Sequence, residues 1–299
     1  LRLVPGQEES VRRLLRLYED NDAHALAGMA ACYLAFLNPT NYSGLAIIQL
    51  EQARTRPAEP GSGPEWLAAQ NFFDESMNRG FDCIRRQDLI GAENAFRSVL
   101  HTFPRNRPAL TYLGIVNVLR GEWPMAMMVF LYASELYPED MNFAASRART
   151  QGYLGQAPQA LTWLEERLYA HPDHPALLQT AGLIAMQCGR PAEATKYFAG
   201  WTASDGKSAD AWTSYGIALT LTDQPVFARV ALTKARQMDP SRNTTLLFLA
   251  LNAARAQRTA EMKGHVRALI DQAGREEAAR LIRATSLPLY FPSVEDFLR

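Results

Sequence analysis

Apolar side chains recur every three or four residues over most of the chain, a period that predicts α-helices. The first such stretch, residues 8–18, places four apolar side chains on one helical face: Val11, Leu14, Leu15 and Tyr18. A second helix is predicted from about Asp22 to Leu37 and a third from about Ser43 to Arg54. Residues 56–64 contain three prolines and two glycines, which indicates a linker. Residues 1–63 are therefore predicted to form a helical cap or extension, with an independent binding module as the alternative.

A pattern 34 residues long begins at Phe73 and recurs without insertion in 73–106, 107–140, 141–174, 175–208 and 209–242. Small residues occupy one position of each copy: Gly80, Gly114, Ala148, Gly182 and Gly216. A later position is always alanine: Ala92, Ala126, Ala160, Ala194 and Ala228. Four residues further on, a large apolar side chain follows: Phe96, Phe130, Leu164, Phe198 and Leu232. Proline closes every copy but the fourth: Pro104, Pro138, Pro172, Gly206 and Pro240.

These residue types suit two antiparallel helices that cross closely. Small side chains let the backbones approach, a large side chain fills the space between them, and proline ends the second helix. The clearest copy, residues 107–140, carries in order Leu113-Gly114, Ala126, Phe130, Ala133 and Pro138. In this order and spacing it resembles a tetratricopeptide (TPR) repeat. The resemblance covers residues 64–242 and implies an all-α fold, a right-handed TPR superhelix (α-solenoid) of paired helices.

The pattern weakens in residues 243–299. Ala250 and Met262 occupy the two small-residue positions of a degenerate sixth repeat, and residues 276–284 predict a terminal solvating helix. The tail that follows is rich in large apolar residues: Leu287, Leu289, Tyr290, Phe291 and Phe297. We expect the tail to fold back onto the last repeat, and a short motif displayed for a partner is the alternative.

Charge and cysteine content exclude several classes of protein. Lys plus Arg and Asp plus Glu both number 31, so no net charge draws the chain to nucleic acid. No apolar stretch is long enough to predict membrane insertion. Cys32, Cys83 and Cys188 form no disulfide framework and lie in helical patterns, which favours small buried side chains and a cytoplasmic location. The chain begins at Leu1, so a removed signal peptide is the alternative.

No motif for catalysis, phosphate binding or metal coordination is present. His171 and His174 have a spacing that a metal can use, but they fall on the turn between two repeats, where solvated polar residues are common. We therefore expect no enzymatic activity, no catalytic residues, no cofactor and no metal.

In TPR proteins, the first helices of successive repeats line a concave groove that holds a peptide or a helix. The resemblance implies a groove made of these residues: Met77, Phe81, Ile84, Arg85, Ile115, Val118, Leu119, Asn142, Arg149, Tyr153, Leu183, Met186 and Ile217. TPR co-chaperones that grip a C-terminal carboxylate use lysine and asparagine here, and no lysine is among these residues. A groove rich in aliphatic side chains favours an apolar or amphipathic segment, which Arg85 and Arg149 can orient. Occupation by the chain's own N-terminal helices or tail is the alternative.

The second helix of the second repeat, residues 124–136, is apolar on nearly every side and must be buried on two faces. Its own repeat and the next account for one face. Met127, Met128 and Leu131 then need a further cover, either the N-terminal helices or a partner subunit. Methionine adapts to irregular partners, so a homodimer interface here is one hypothesis.

The leading interpretation is a non-enzymatic TPR scaffold for protein–protein interaction that binds an apolar or amphipathic partner segment. Residues 73–174 also resemble the type III secretion chaperones of hydrophobic translocators, which suggests a chaperone or assembly factor in bacterial secretion or appendage biogenesis. One alternative is a dimeric or docking regulatory subunit that uses the Met-rich second repeat. Another is an accessory domain of a larger enzyme whose catalytic part preceded Leu1.

Overall fold

A computed structural model describes residues 7–290 and shows helices throughout, with no strand in that range. The chain divides into two compact units, residues 1–156 and 157–299. The boundary lies inside the third repeat, between its two helices.

The N-terminal unit contains eight numbered helices. They are α1 (Gln7–Asp20), α2 (His24–Leu37), α3 (Pro39–Arg54), α4 (Leu67–Arg85), α5 (Leu89–Thr102), α6 (Arg107–Leu119), α7 (Trp123–Leu136) and α8 (Met141–Gln151). A short 3-10 turn, Pro64–Trp66, leads into α4, and a wide helical turn, Gly152–Gln156, follows α8. The three N-terminal helices confirm the cap as helical, but α3 begins four residues before the predicted start because Pro39 suits the first turn of a helix.

The cap packs on the second repeat through α2. This helix, HALAGMAACYLAFL, is apolar on every side and almost wholly buried, and it lies against α7 and α5. Gly28 permits the closest approach, because a Cβ built there would lie 2.5 Å from Cε2 of Tyr132 on α7. Tyr132 is fully buried, and its hydroxyl donates a hydrogen bond to the carbonyl oxygen of Pro104 at 3.1 Å. The contact therefore has no room for a larger residue at position 28.

The start of the linker between the cap and the repeats is fixed by hydrogen bonds to the turn between α5 and α6. Buried Asn106 caps α6 by accepting from the backbone N–H of Ala109 at 2.9 Å, and its Nδ2 donates to the carbonyl oxygen of Ala58 at 2.9 Å. Arg105 donates to the carbonyl oxygen of Arg54 at 2.7 Å. The turn before α6 thus holds the start of the segment that the sequence marks as a linker.

The C-terminal unit continues the same helix pairing. Its helices are α9 (Ala157–Ala170), α10 (Pro175–Gln187), α11 (Pro191–Ser204), α12 (Ala209–Leu221), α13 (Pro225–Met238), α14 (Asn243–Arg255), α15 (Thr259–Ala273), α16 (Arg275–Arg283) and α17 (Leu287–Tyr290). Helices α14 and α15 form the sixth pair, and α16 buries Ala278, Ala279 and Ile282 against it. Leu287 is fully buried in the same cluster, whereas Leu289 is exposed. The part of the predicted apolar tail that follows Tyr290, with Phe291 and Phe297, lies outside the described residues.

The small and large positions of the sequence pattern meet inside the first, second, fourth and fifth repeats, as the TPR resemblance implies. A Cβ on Gly114 would lie 2.4 Å from the ring of Phe130, and one on Gly182 would lie 2.3 Å from the ring of Phe198. Gly80 faces Phe96 and Gly216 faces Leu232 in the same way. The small residue is required because the large side chain of the second helix occupies the space a Cβ would need.

The turn between the two helices of each repeat is left-handed at one position, and this position recurs every 34 residues. The residues are Gln87, Gly121, Gly155, Gly189, Asp223 and Gln257, with φ between 56° and 82°. Half of them are not glycine, although a Cβ costs about 1–2 kcal/mol in this conformation. These turns hold strain that glycine would relieve.

We expect Gln257→Gly to raise the free energy of unfolding by about 0.5–1 kcal/mol, because the relieved strain exceeds the entropy that glycine loses on folding. Gly189→Ala, at the matching position of an earlier repeat where a Cβ meets nothing within 4 Å, should lower it by about 1 kcal/mol. Urea unfolding followed by circular dichroism measures both changes. A Gln257→Gly variant less stable than the original would show that its side chain makes a compensating contact.

Candidate functional site

An apolar strip lies exposed on α6 and on the helical turn after α8 in the N-terminal unit. Ile115 and Leu119 lie one turn apart on α6, and Leu119 is 58% exposed. Tyr153, one repeat later at the position matching Leu119, is also 58% exposed. Val118 is half-buried beside them and packs against the core. We call Ile115, Leu119 and Tyr153 the apolar strip, and an exposed apolar set of this kind is typical of a binding surface.

Trp123, which the sequence analysis did not predict as a groove residue, extends the apolar strip. Its ring stacks on Tyr153 with the centroids 4.2 Å apart and the planes 14° from parallel. The sequence hid this contact because Trp123 opens a second helix, whereas the groove was predicted from first helices alone. The stack fixes the orientation of Tyr153, so that ring can meet a ligand at little entropic cost.

The two predicted arginines differ in their surroundings. Arg85 is exposed and forms an ion pair with Asp82 on its own helix, α4. Arg149 is exposed on α8, and no carboxylate in residues 7–290 forms an ion pair with it. An arginine without an acidic neighbour leaves the α8 side of the surface positively charged. It is the better placed of the two to meet an acidic group on a ligand.

Other predicted groove residues serve the repeat itself. Met77 is buried in the core. Phe81 is half-buried and packs edge-on against Phe96 and Tyr112, with ring centroids 5.8 Å and 4.8 Å away. Ile84 is half-buried in the same cluster. These three side chains belong mainly to the core of the first repeat, because packing there buries most of their surface area.

Asn142 is exposed at the start of α8 but takes part in the helix cap. Its backbone N–H donates to Oδ1 of Asp140 at 3.0 Å, and its side-chain amide reaches the same oxygen at 3.2 Å. An asparagine engaged in this way has one fewer donor for a ligand.

In the C-terminal unit the predicted groove positions fall on α10 and α12. Leu183 on α10 is the exposed one. Met186 and Ile217 are half-buried. This unit therefore repeats the aliphatic character of the apolar strip on its own first helices, with less exposed area per side chain.

The Met-rich face of α7 is covered by the chain's own N-terminal helices. Met127, Met128 and Leu131 are all buried, in one apolar cluster with Met29 and Leu34 of α2. The sequence leaves two possible covers for this face, the N-terminal helices or a partner subunit. In the structure the N-terminal helix α2 covers it. The three residues do not form an exposed interface on this chain.

No group with unusual reactivity lies near the apolar strip. Burial raises the pKa of the Cys32 thiol to about 12, so the thiol stays protonated. Cys83 and Cys188 are free and half-buried, less buried than predicted. Within residues 7–290 no three His, Cys, Asp or Glu side chains come together to hold a metal, and His171 is exposed. No helix in that range has the length and apolar character to cross a membrane.

Comparison with known proteins bears on the fold. No protein-family model matches the sequence, and no curated protein matches it. Among solved structures, PilW, described as a widely conserved type IV pilus biogenesis factor, is similar with a TM-score of 0.60 and 14% identity, over 70% of this chain and 97% of PilW. PilF of Pseudomonas aeruginosa is similar with a TM-score of 0.57 and 16% identity, over 76% of this chain and 97% of PilF.

A third similar structure is the APC/C hetero-tetramer Cut9–Hcn1. The TM-score is 0.59 at 14% identity, over 94% of this chain and 56% of the other. At these identities the likeness concerns the fold, and it agrees with the 34-residue spacing of the helices and their left-handed turns. The chain therefore has the tetratricopeptide-repeat fold, as its sequence predicts.

Proposed function

We propose that the protein is a non-enzymatic scaffold for protein–protein interaction whose apolar strip binds an apolar or amphipathic segment of a partner. The observation that carries the proposal is the exposure of Ile115 and Leu119 on α6 and of Tyr153 on the helical turn after α8. Apolar side chains of this size are unfavourable in water, and a partner that covers them lowers the free energy. Burying one of them contributes about 1.5–3 kcal/mol.

Arg149 and the Trp123–Tyr153 stack refine the kind of segment that fits. The stack offers a flat, rigid face to an apolar side chain. The guanidinium of Arg149 offers a charged hydrogen bond to a carboxylate or a carbonyl oxygen. The best ligand is an amphipathic segment with aliphatic residues on one side and an acidic residue near its α8 end.

A role in assembly belongs to the same proposal. PilW, which has this fold, is a type IV pilus biogenesis factor. We infer that the chain acts as a chaperone or assembly factor in bacterial secretion or appendage biogenesis, holding an apolar segment until its partner is incorporated. The alternative of a subunit that docks through Met127 and Met128 would require α2 to leave α7, since both side chains are buried beneath it.

The test uses peptides selected from a phage-displayed library on the original protein. Their affinity is then measured by fluorescence anisotropy against Leu119→Asp and Ile90→Asp. Leu119→Asp should weaken binding by roughly 10- to 100-fold, because an apolar contact of about 1.5–3 kcal/mol is lost and a charge is added. Ile90→Asp changes an equally exposed aliphatic residue on α5 that is not part of the apolar strip, and should leave the affinity unchanged.

Two results would contradict the proposal. One is a set of peptides that bind Leu119→Asp as tightly as the original protein. The other is a set that loses affinity equally in both variants, since this would indicate a general effect of added charge rather than a contact at Leu119.

A further inference from the structure

The outer face of α13 carries an exposed apolar patch in the C-terminal unit. Val226, Phe227 and Val230 are 64%, 65% and 60% exposed. On a helix these positions fall within about 100° of one another, so the three side chains form one face. We call them the α13 patch. The α13 patch shares no residue with the apolar strip.

The neighbouring repeats show that this face is polar by default. The residues that match Phe227 and Val230 are Gln159 and Thr162 on α9, Glu193 and Lys196 on α11, and Glu261 and Gly264 on α15. Polar side chains suit the solvated outer face of a repeat. The α13 patch departs from that pattern at both positions.

Helix α7 shows what covers this face when it is apolar. The residues of α7 that match Phe227 and Val230 are Met125 and Met128. Both border a small cavity together with Leu26 and Met29 of α2, which packs over α7. The fold thus already accommodates one helix laid on the outer face of a repeat, and the α13 patch presents the matching face without a helix of residues 7–290 upon it.

Charge around the α13 patch identifies the kind of helix that fits. Arg229 and Lys234 are exposed on either side of Val230 and border one hollow with it. The Lys234 ammonium lies 3.8 Å from the ring centroid of Trp212. The acidic residue of the hollow, Glu261, is already paired with Arg258 at 2.8 Å. The rim is therefore cationic and complements acidic side chains.

A second copy of this chain fits the patch poorly. Two copies that met through the α13 patch would bring one rim of Arg229 and Lys234 against the same rim of the other. Asp223, the acidic residue just before α13, lies 3.6 Å from Arg255 in an ion pair of its own. Like charges across an interface oppose association.

We infer that the α13 patch is a second docking site, which binds an amphipathic helix of a partner protein with acidic residues on the flanks of its apolar face. The partner helix lies over α13 as α2 lies over α7, and its apolar residues cover Val226, Phe227 and Val230. Its carboxylates meet Arg229 and Lys234.

The experiment uses two synthetic helical peptides with leucine at positions i, i+3, i+4 and i+7, one with glutamate and one with lysine on the remaining faces. All titrations are made in a Leu119→Asp background, which weakens binding at the apolar strip. Binding at the α13 patch is then measured with little contribution from the apolar strip, so the failure of one site is distinguished from the failure of the other. The glutamate peptide should bind, and the lysine peptide should bind at least tenfold more weakly. Phe227→Asp should weaken the glutamate peptide by tenfold or more, because an apolar contact is replaced by a repelling charge.

Arg229→Glu supplies an independent variant that leaves the apolar side chains in place. It should weaken the glutamate peptide and strengthen the lysine peptide. Circular dichroism confirms that each variant is folded, as expected for side chains that are largely exposed. Equal binding of both peptides, or binding unaffected by Phe227→Asp, would overturn the inference. Concentration-dependent dimers lost in Phe227→Asp would also overturn it and assign the patch to a second copy.

Discussion

Gly28→Leu is expected to destabilise the N-terminal unit by about 3 kcal/mol or more. The leucine side chain would collide with the Tyr132 ring, which a Cβ alone approaches to 2.5 Å. Tyr132 cannot move aside, since it is fully buried and its hydroxyl is bonded to the carbonyl oxygen of Pro104. Helix α2 would then separate from α7 and expose Met127 and Met128.

Hydrogen exchange of the α7 amides reports this change within the N-terminal unit. Gly44→Leu is the matched control, since a Cβ at this exposed position of α3 meets nothing within 4 Å. It should raise stability by a few tenths to about 1 kcal/mol, because leucine favours helix more than glycine. Equal protection of α7 in the two variants would show that α2 does not hold α7 in place.

Phe198→Ala should cost about 3–5 kcal/mol in the C-terminal unit. The Phe198 ring is buried and fills the space in front of Gly182, where a Cβ would approach it to 2.3 Å. Alanine would leave a cavity between α10 and α11 that neither backbone can close without shifting. Urea unfolding followed by circular dichroism measures the loss.

Phe227→Ala tests the same change on the surface of the same unit. Because Phe227 is 65% exposed, its truncation should alter stability by no more than about 0.5 kcal/mol. A large loss there would mean that the α13 patch is packed against another part of the chain, contrary to the docking inference. A small loss for Phe198→Ala would contradict the role of the small and large positions in the repeat.

The repeat was predictable because its physics is local. Gly114 and Phe130 lie in one 34-residue repeat. Their contact follows from the length of the two helices and from the angle at which they cross. Copies of the pattern then confirm one another along the chain. The same reasoning located the sixth pair around Ala250 and Met262, although its residues match the pattern poorly.

Contacts between non-adjacent elements were only partly predictable. The apolar character of α7 showed that Met127 and Leu131 need a cover, but it did not distinguish α2 from a partner, because either supplies an apolar face. The sequence holds a further signal at Gly28, since a glycine in an otherwise apolar helix marks a close approach. Met77 and Phe81 were expected on the surface, and the first repeat packs them inward because aromatic neighbours fill that end.

The exposed patch on α13 also had a signal in the sequence. Comparing Phe227 and Val230 with the matching Glu193 and Lys196 one repeat earlier reveals the departure at once. An exposed apolar patch of this kind shows in the sequence as a position where one repeat differs from the others, whereas the positions that all repeats share indicate the fold.

The most direct test of partner binding at the apolar strip is a methyl spectrum with the isoleucine δ1 carbons labelled, recorded as a selected peptide is added. Ile115 lies in the apolar strip, and Ile47 and Ile90 lie exposed elsewhere in the same unit. The account predicts that the Ile115 methyl signal shifts or broadens in proportion to bound peptide while those of Ile47 and Ile90 stay in place. Movement of the Ile47 or Ile90 signals with Ile115 unchanged would contradict it.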